Sequence, residues 1–309
     1  MVTPTPSLAA CQLPSVSAVM EQFTAADYVC SKETATAIFL MIQLQRPLLV
    51  EGPPGVGKTE LAKVLAQTTE AQLIRLQCYE GLDEAKALYE WEYSKQLLYV
   101  QMLKEQLGTL LANTTSLNDA VALLQGQESA FFSRHFLLPR PLLQAILAPQ
   151  RTVLLIDEID RADQEFEAFL LEILSDFQVS IPELGTLHAV QRPLVVLTSN
   201  ATRNLSEALK RRCFYLYIDH PTVAIELQIV QRKVPAIDQR LATHIVQFVQ
   251  RTRQMSLRKP PSISETLDWA LALVVLGASV LSRELIVDTL NILLKDKDDI
   301  ARALREAGR

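Results

Sequence analysis

The stretch that most restricts what this chain can become is Gly52-Pro53-Pro54-Gly55-Val56-Gly57-Lys58-Thr59. It follows the apolar run 47–50 and opens a helix-forming run that begins at Glu60. A glycine-bracketed loop ending in Lys-Thr between a strand and a helix wraps backbone amides around phosphate. Gly52 and Gly57 are required because a Cβ would obstruct amides turned inward, and Gly55 adds further freedom. Lys58 then reaches the β- and γ-phosphates and the Thr59 hydroxyl takes a Mg²⁺ position. The amides at the positive end of the helix, up to Glu60, complete the anion cradle. The nucleotide-binding residues expected are therefore Gly52, Pro53, Pro54, Gly55, Val56, Gly57, Lys58, Thr59 and Glu60, with ATP as the ligand.

A second motif carries the carboxylates. In TVLLIDEID, residues 152–160, four apolar residues read as a buried parallel-type strand with two acids at its C-terminal end, the edge where ligands bind in open α/β sheets. Asp157 would hold Mg²⁺ through water and Glu158 would orient and polarise an attacking water, because phosphoryl transfer depends mostly on positioning and charge. PLVVLTSN, residues 193–200, repeats the buried strand with polar residues at its end, from which Asn200 could reach the water or the γ-phosphate. NLSEALKRRC then reads as a short helix ending in Arg211 and Arg212, with a fifth strand at 214–218. An arginine there lies at a subunit edge, where it could complete a neighbour's site as an arginine finger. The bland alternative is a solvated pair.

The remainder supplies the frame. With 309 residues, 49% hydrophobic and 21% charged, there is material for about two domains with sizeable cores. A net charge of −5 argues against a broad nucleic-acid or anionic-membrane footprint. Cys11, Cys30, Cys78 and Cys213 form no CxxC pair, so neither a disulfide framework nor a zinc site is indicated. There is no leader-like segment and no long apolar span, so a soluble, cytoplasmic protein without a membrane span is expected.

Residues 1–30 read as a lead-in, loose over the first fifteen or so, and Ser31 caps a helix that feeds the first strand. The loop Tyr28 to Cys30 is a candidate neighbour of the nucleotide base, with ordinary packing as the alternative. After a strand at 72–77, residues 78–107 read as a long run at helical period, in which Tyr89 and Tyr93 share a face and Trp91 points elsewhere. A further helix follows near Asn118 to Gln125, so a helical insert of about 80–126 is expected. His135 has no partner at metal spacing and reads as packed or solvated. Asp163 caps a helix whose stripe is Phe166, Phe169, Leu170, Ile173, Leu174 and Phe177. A β-hairpin at about 177–190 precedes the TSN strand. Beyond residue 221 the chain reads as helical, with stripes through Leu241, Ile245 and Val249, then ETLDWALALVVL and RELIVDTLNILLK.

In this order and spacing the P-loop, DEID, TSN and ALKRRC resemble the core of an AAA+ ATPase. The insert and hairpin are similar to those of the MoxR family. LVEGPPGVGKTELAKVLA, LIRLQCYEGLDEAKALYEWEYSKQLL and ETLDWA resemble the branch that includes the CoxD-type maturation ATPases of carbon monoxide dehydrogenase. The resemblance implies an α/β P-loop core at 31–220 with a five-stranded parallel sheet flanked by helices, and an all-helical lid at 221–309. It implies Lys58 and Thr59 on phosphate and Mg²⁺, Asp157 and Glu158 as Walker B, Asn200 as sensor 1, and Arg212 as the finger with Arg211 its rival. No arginine aligns cleanly as sensor 2; Arg258 and Lys259 are the two candidates. It further implies a homo-oligomeric, hexameric ring acting on a protein client, a metalloenzyme among the candidates, with a von Willebrand A-type adaptor. Two other classes compete: a nucleotide-dependent switch or scaffold with little turnover, and a DNA motor, which would need a basic face or an appended DNA-binding module, neither of which is visible in the sequence.

Overall fold

Short leucine-, isoleucine- and valine-rich runs bounded by turns make the central sheet of the computed structural model, which describes residues 13–102, 134–182 and 184–307. The elements run in chain order as α1 (Val16–Ala25), α2 (Lys32–Leu44), β1 (Leu48–Glu51), α3 (Lys58–Thr68), β2 (Gln72–Gln77), α4 (Glu84–Leu88), β3 (Tyr89–Trp91), α5 (Tyr93–Met102), β4 (Leu137–Pro139), α6 (Pro141–Leu147), β5 (Thr152–Asp157), α7 (Gln164–Asp176), β6 (Gln178–Ile181), β7 (Gly185–His188), β8 (Leu194–Ser199), α8 (Glu207–Arg212) and β9 (Phe214–Tyr217). Helices α9 (Val223–Lys233), α10 (Gln239–Gln254), α11 (Ile263–Val275), α12 (Arg283–Leu293) and α13 (Lys297–Ala307) complete the chain.

Five strands pair in the order β2-β5-β8-β1-β9, all parallel. The sequence-based fold class, a five-stranded parallel sheet flanked by helices with a helical C-terminal part, is the architecture observed. Alternation along each strand feeds two apolar layers. Leu48, Val50, Val153, Leu155 and Val196 face α1, α2 and α3. Leu49, Ile74, Leu76, Leu154, Ile156 and Leu197 face α6, α7 and the β6–β7 hairpin. Because both faces are covered, the central strands β1, β5 and β8 read as continuous apolar runs rather than alternating ones.

The helices after β9 have a separate core around Leu241, Ile245, Val249, Trp269, Leu273 and Leu290. Buried Glu226 is held there by Arg253 at 2.6 Å and by the Thr266 hydroxyl at 2.9 Å. This helical part touches the sheet domain beside the P-loop, where Arg232 donates to the Thr24 carbonyl at 2.7 Å and Lys233 lies 3.8 Å from Glu60. Helices α9 and α13 add to the three segments expected there.

One sequence expectation needs correction. The run 78–107 is not one helix. Tyr89–Trp91 is a strand, paired antiparallel with Leu137–Pro139, so Tyr89 and Tyr93 do not share a helix face. Trp91 is buried, its ring edge-on to Tyr89. The pairing partner comes from far downstream, so local period could not reveal it, whereas aromatic residues favour a pleated, half-buried surface. The lead-in also contains α1, capped by Ser15 and burying Val19 and Phe23. The helix expected near Asn118 to Gln125 lies outside the described residues. His135 packs edge-on against Tyr99 and Phe136.

Candidate functional site

The C-terminal ends of β1, β2, β5 and β8 converge on the P-loop, as the parallel register requires. Gly52 donates its N–H to the Ser199 carbonyl at 3.3 Å, and a Cβ there would sit 2.0 Å from the Ile218 carbonyl oxygen, so only glycine fits. Gly57, at φ +96°, caps α3 in the left-handed region that side chains resist. Lys58 is buried and donates to the carbonyls of Gly52 and Pro53, each at 2.7 Å, and to Asn200 Oδ1 at 2.8 Å. Burial pulls its ammonium below the usual lysine range, against the opposing charges of Asp160, Asp157 and Glu158.

Asp157 closes β5 with its carboxylate buried. Oδ1 accepts from Thr198 Oγ1 at 2.5 Å and Thr59 Oγ1 at 3.1 Å; Oδ2 accepts from Arg75 Nε at 3.0 Å and Nη2 at 2.6 Å. Glu158 follows at φ +56°, a left-handed conformation that costs a non-glycine residue about 1–3 kcal/mol and clusters at functional sites. It turns the carboxylate toward the strand ends. Its N–H donates to Thr198 Oγ1 at 2.9 Å. Oε2 accepts from Gln77 Nε2 at 3.0 Å and Arg161 Nε at 2.8 Å, and Oε1 from Asn200 Nδ2 at 3.4 Å.

Asp160 builds the loop behind Asn200. It accepts from the amides of Asn200 at 3.2 Å and Thr202 at 3.1 Å and from the Thr202 hydroxyl at 2.6 Å. Burial would raise its carboxyl, but the Thr202 and Asn200 donors outweigh it and hold the group below the usual carboxylate range.

Two adjoining cavities open here. One of about 290 Å³ is lined by Lys58, Thr59, Asp157, Glu158, Thr198, Asn200 and Ser264. The other, about 800 Å³, is lined by Tyr28 to Ser31, Gly55 to Gly57, Tyr217 to Thr222 and residues of α9 and α11. Glu60 lines both, and Val56 the larger. The loop Tyr28 to Cys30 thus lies in the wall beside the P-loop. The Cys30 thiol is pushed up to about 12 by burial. His220, in the same wall, is lowered by burial and then by the charge of Arg253.

The sequence-predicted residues are brought together with two exceptions. Arg211 and Arg212 are exposed and line neither cavity; Arg212 Nε donates to Ser175 Oγ on α7 at 2.8 Å. Arg258 and Lys259 also lie away from both cavities. Their amides are each 3.0 Å from Asp299, and the Arg258 guanidinium is 3.2 Å from Asp298. The start of α11 comes to the P-loop instead: a Cβ on Gly55 would lie 2.3 Å from Ser262 Oγ, and Ser264 lines both cavities. Sequence reasoning missed Arg75, Gln77, Arg161, Thr198, Asp160 and Ser264. Arg75 and Gln77 alternate with buried Ile74 and Leu76, a period-2 signal that put both on one face.

Residues 47–213 match the model of the AAA domain, dynein-related subfamily. The chain belongs to this AAA family. Membership places it among nucleotide-dependent ATPases. Relatives at lower identity include "Uncharacterized protein SAB1265c" of Staphylococcus aureus, 25% identical over 232 residues, covering 73% of this AAA chain and 74% of the relative. An uncharacterized protein of Staphylococcus epidermidis is 26% identical over 240 residues, covering 75% and 76%. Among solved structures, a point mutant of Thermotoga maritima RuvB aligns with TM-score 0.48 and 18% identity over 92% of this chain and 72% of that one. The structure titled as the Thermotoga maritima RuvB Holliday junction branch migration motor aligns at 0.43 and 20%, over 86% and 68%.

Proposed function

We propose that the chain hydrolyses ATP to ADP and phosphate in a Mg²⁺-dependent reaction, with an ATPase core at 31–220 and a helical lid at 221–309. The observation that carries this reading is the contact set joining Lys58, Asn200, Glu158, Thr198, Asp157 and Thr59 across one small cavity beside a P-loop. Lys58 is parked on carbonyls that phosphate oxygens would outcompete, since an ammonium binds an anion more strongly than a neutral acceptor. Glu158 would accept hydrogen bonds from the attacking water while Asn200, tied to both Lys58 and Glu158, fixes its position.

The residues present fit Mg²⁺. A hydroxyl and a carboxylate, Thr59 and Asp157, converge at 3.1 Å and offer the hard oxygens that this cation takes alongside phosphate and water. When bound there it would offset the negative charge of the phosphate oxygens. Thr198 keeps the Asp157 carboxylate aimed at Thr59.

We further assign the chain to the MoxR type, close to the CoxD-like branch, as a ring-forming, chaperone-like ATPase that remodels or matures a protein client. A von Willebrand A-type adaptor and a metalloenzyme client belong to that reading. The exposed position of Arg212 supports a finger that acts on a neighbouring subunit.

The test separates binding from turnover. Glu158→Gln should leave ATP binding within about threefold of the parent and remove hydrolysis, because glutamine keeps the size of the side chain but loses its charge and one of its two acceptor oxygens. Lys58→Ala should weaken binding itself by tenfold or more, on the order of 1.4 kcal/mol. Equal loss of ATP binding in both variants, measured by equilibrium titration, would overturn the division of roles.

A further inference from the structure

Arg75 has no part in the reading above, yet it makes the closest contact that Asp157 Oδ2 has. Its position follows from sheet register. Gln77 is paired with Asp157 and Arg75 with Leu155 across β2 and β5. Ile74 and Leu76 turn into one apolar layer, so Arg75 and Gln77 share the opposite face with Asp157. On that face the carboxylate is saturated: Thr198 and Thr59 sit on Oδ1, with Thr59 also 3.4 Å from Oδ2, and Arg75 donates twice to Oδ2.

The two kinds of donor differ in how easily they leave. Thr198 and Thr59 are held by the strand and helix that carry them. The Arg75 side chain is 51% exposed, whereas that of Asp157 is only 4% exposed, so the guanidinium can swing into water while the carboxylate stays behind. A dication held by Asp157 and a guanidinium 2.6 Å from one of its oxygens repel each other across a partly buried site, where charge interactions are poorly screened.

We propose that Arg75 is a built-in competitor for the metal end of this site, occupying Asp157 Oδ2 until a divalent cation arrives with nucleotide and displaces it. The proposal rests on the Mg²⁺-ATP reading given above. It also links the two acids. Arg75 Nη2 donates to Gln77 Oε1, and Gln77 Nε2 donates to Glu158 Oε2 at 3.0 Å. Arg161, on Oε2 of the same carboxylate, is exposed as well. Each acid thus carries an exposed guanidinium.

The test is a Mg²⁺ titration of the binding of a fluorescent ATP analogue to the full chain, a readout independent of turnover. Arg75→Gln should lower the Mg²⁺ midpoint by about fivefold, roughly the worth of a partly exposed ion pair. Arg75→Lys, which keeps the charge but loses the two-pronged contact, should fall between. An unchanged or raised midpoint in Arg75→Gln overturns the competition. So does a shift in Arg75→Gln with Arg75→Lys identical to the parent, since that marks a general field rather than occupancy of Oδ2. Melting in EDTA checks that the variants fold; should Arg75→Gln not fold, Arg75→Lys decides, and an unshifted midpoint there counts against the idea. Absence of Mg²⁺-dependent binding in the parent protein would instead overturn the ATPase reading itself.

Discussion

Asp160 touches no part of the small cavity, yet it sets where Asn200 stands, because its two oxygens collect the Asn200 and Thr202 amides and the Thr202 hydroxyl. Replacing it with asparagine keeps the shape and removes the charge. Since hydrogen bonds to a charged acceptor are worth about 1.5–3 kcal/mol, Asp160→Asn should cost about 2 kcal/mol at neutral pH. The sign with pH follows from a folded-state pKa held below its unfolded value. The stabilisation is fully present above the unfolded value of ~3.9 and is lost as pH falls through the folded one. Denaturant melts of the two proteins should therefore begin to converge as pH falls below about 3.9 and meet only below the lower folded value, and a gap that stays constant would show that the charge of Asp160 is irrelevant. Legibility at this scale was uneven for a clear reason. Lys58, Thr59, Asp157, Glu158 and Asn200 follow motif spacing, which is local. Arg75, Gln77 and Thr198 matter only because β2, β5 and β8 are neighbours, and no spacing within one strand says which strand will lie beside it.

Elements were legible where one local pattern decided them. The stripe from Phe166 to Phe177 needs only the 3.6-residue period and the Asp163 cap, whose carboxylate accepts the Phe166 amide at 2.9 Å. Strands β1, β5 and β8 are short buried runs ending in polar residues. Strand β3 failed that approach because its partner is β4, beyond a long stretch of chain. Within the helical part, α11 shows how one residue ties an element down. Trp269 is fully buried, its ring centroid lies 5.4 Å from that of Phe248, and its Nε1 donates to Thr289 Oγ1 at 2.8 Å. Trp269→Ala should destabilise by about 3–5 kcal/mol in chemical denaturation, as large-to-small core changes do. Trp269→Phe should cost less, because Thr289 Oγ1 still donates to the Leu285 carbonyl at 2.5 Å. A loss under ~1 kcal/mol for the alanine variant would mean that the cavity collapses freely around α12.

At the scale of the whole molecule, the question is what the exposed basic end of α8 faces. Arg212 is anchored sideways by Ser175 and points into neither cavity of its own chain. Its proposed role therefore requires a second copy whose cavity it can enter, and this makes activity a property of assembly. Specific ATPase activity should climb with protein concentration as oligomer mass rises in ATP and Mg²⁺, whereas tight binding by a monomer with negligible turnover would favour the switch reading. Arg212→Ala should lower turnover by about 10³-fold or more if the guanidinium stabilises charge at a neighbour's phosphate, with ATP binding by the isolated chain retained. Glu158→Gln should fail for the opposite reason, since its own cavity would be inactive while its Arg212 is intact. In mixed assemblies of the two variants some interfaces would pair an intact Glu158 with an intact Arg212, so partial activity should return on mixing. Arg211→Ala is the control for the rival arginine, and its mixing pattern decides which of the two reaches across. No rescue at any mixing ratio, in rings verified by mass to contain both variants, would mean that neither arginine works between subunits.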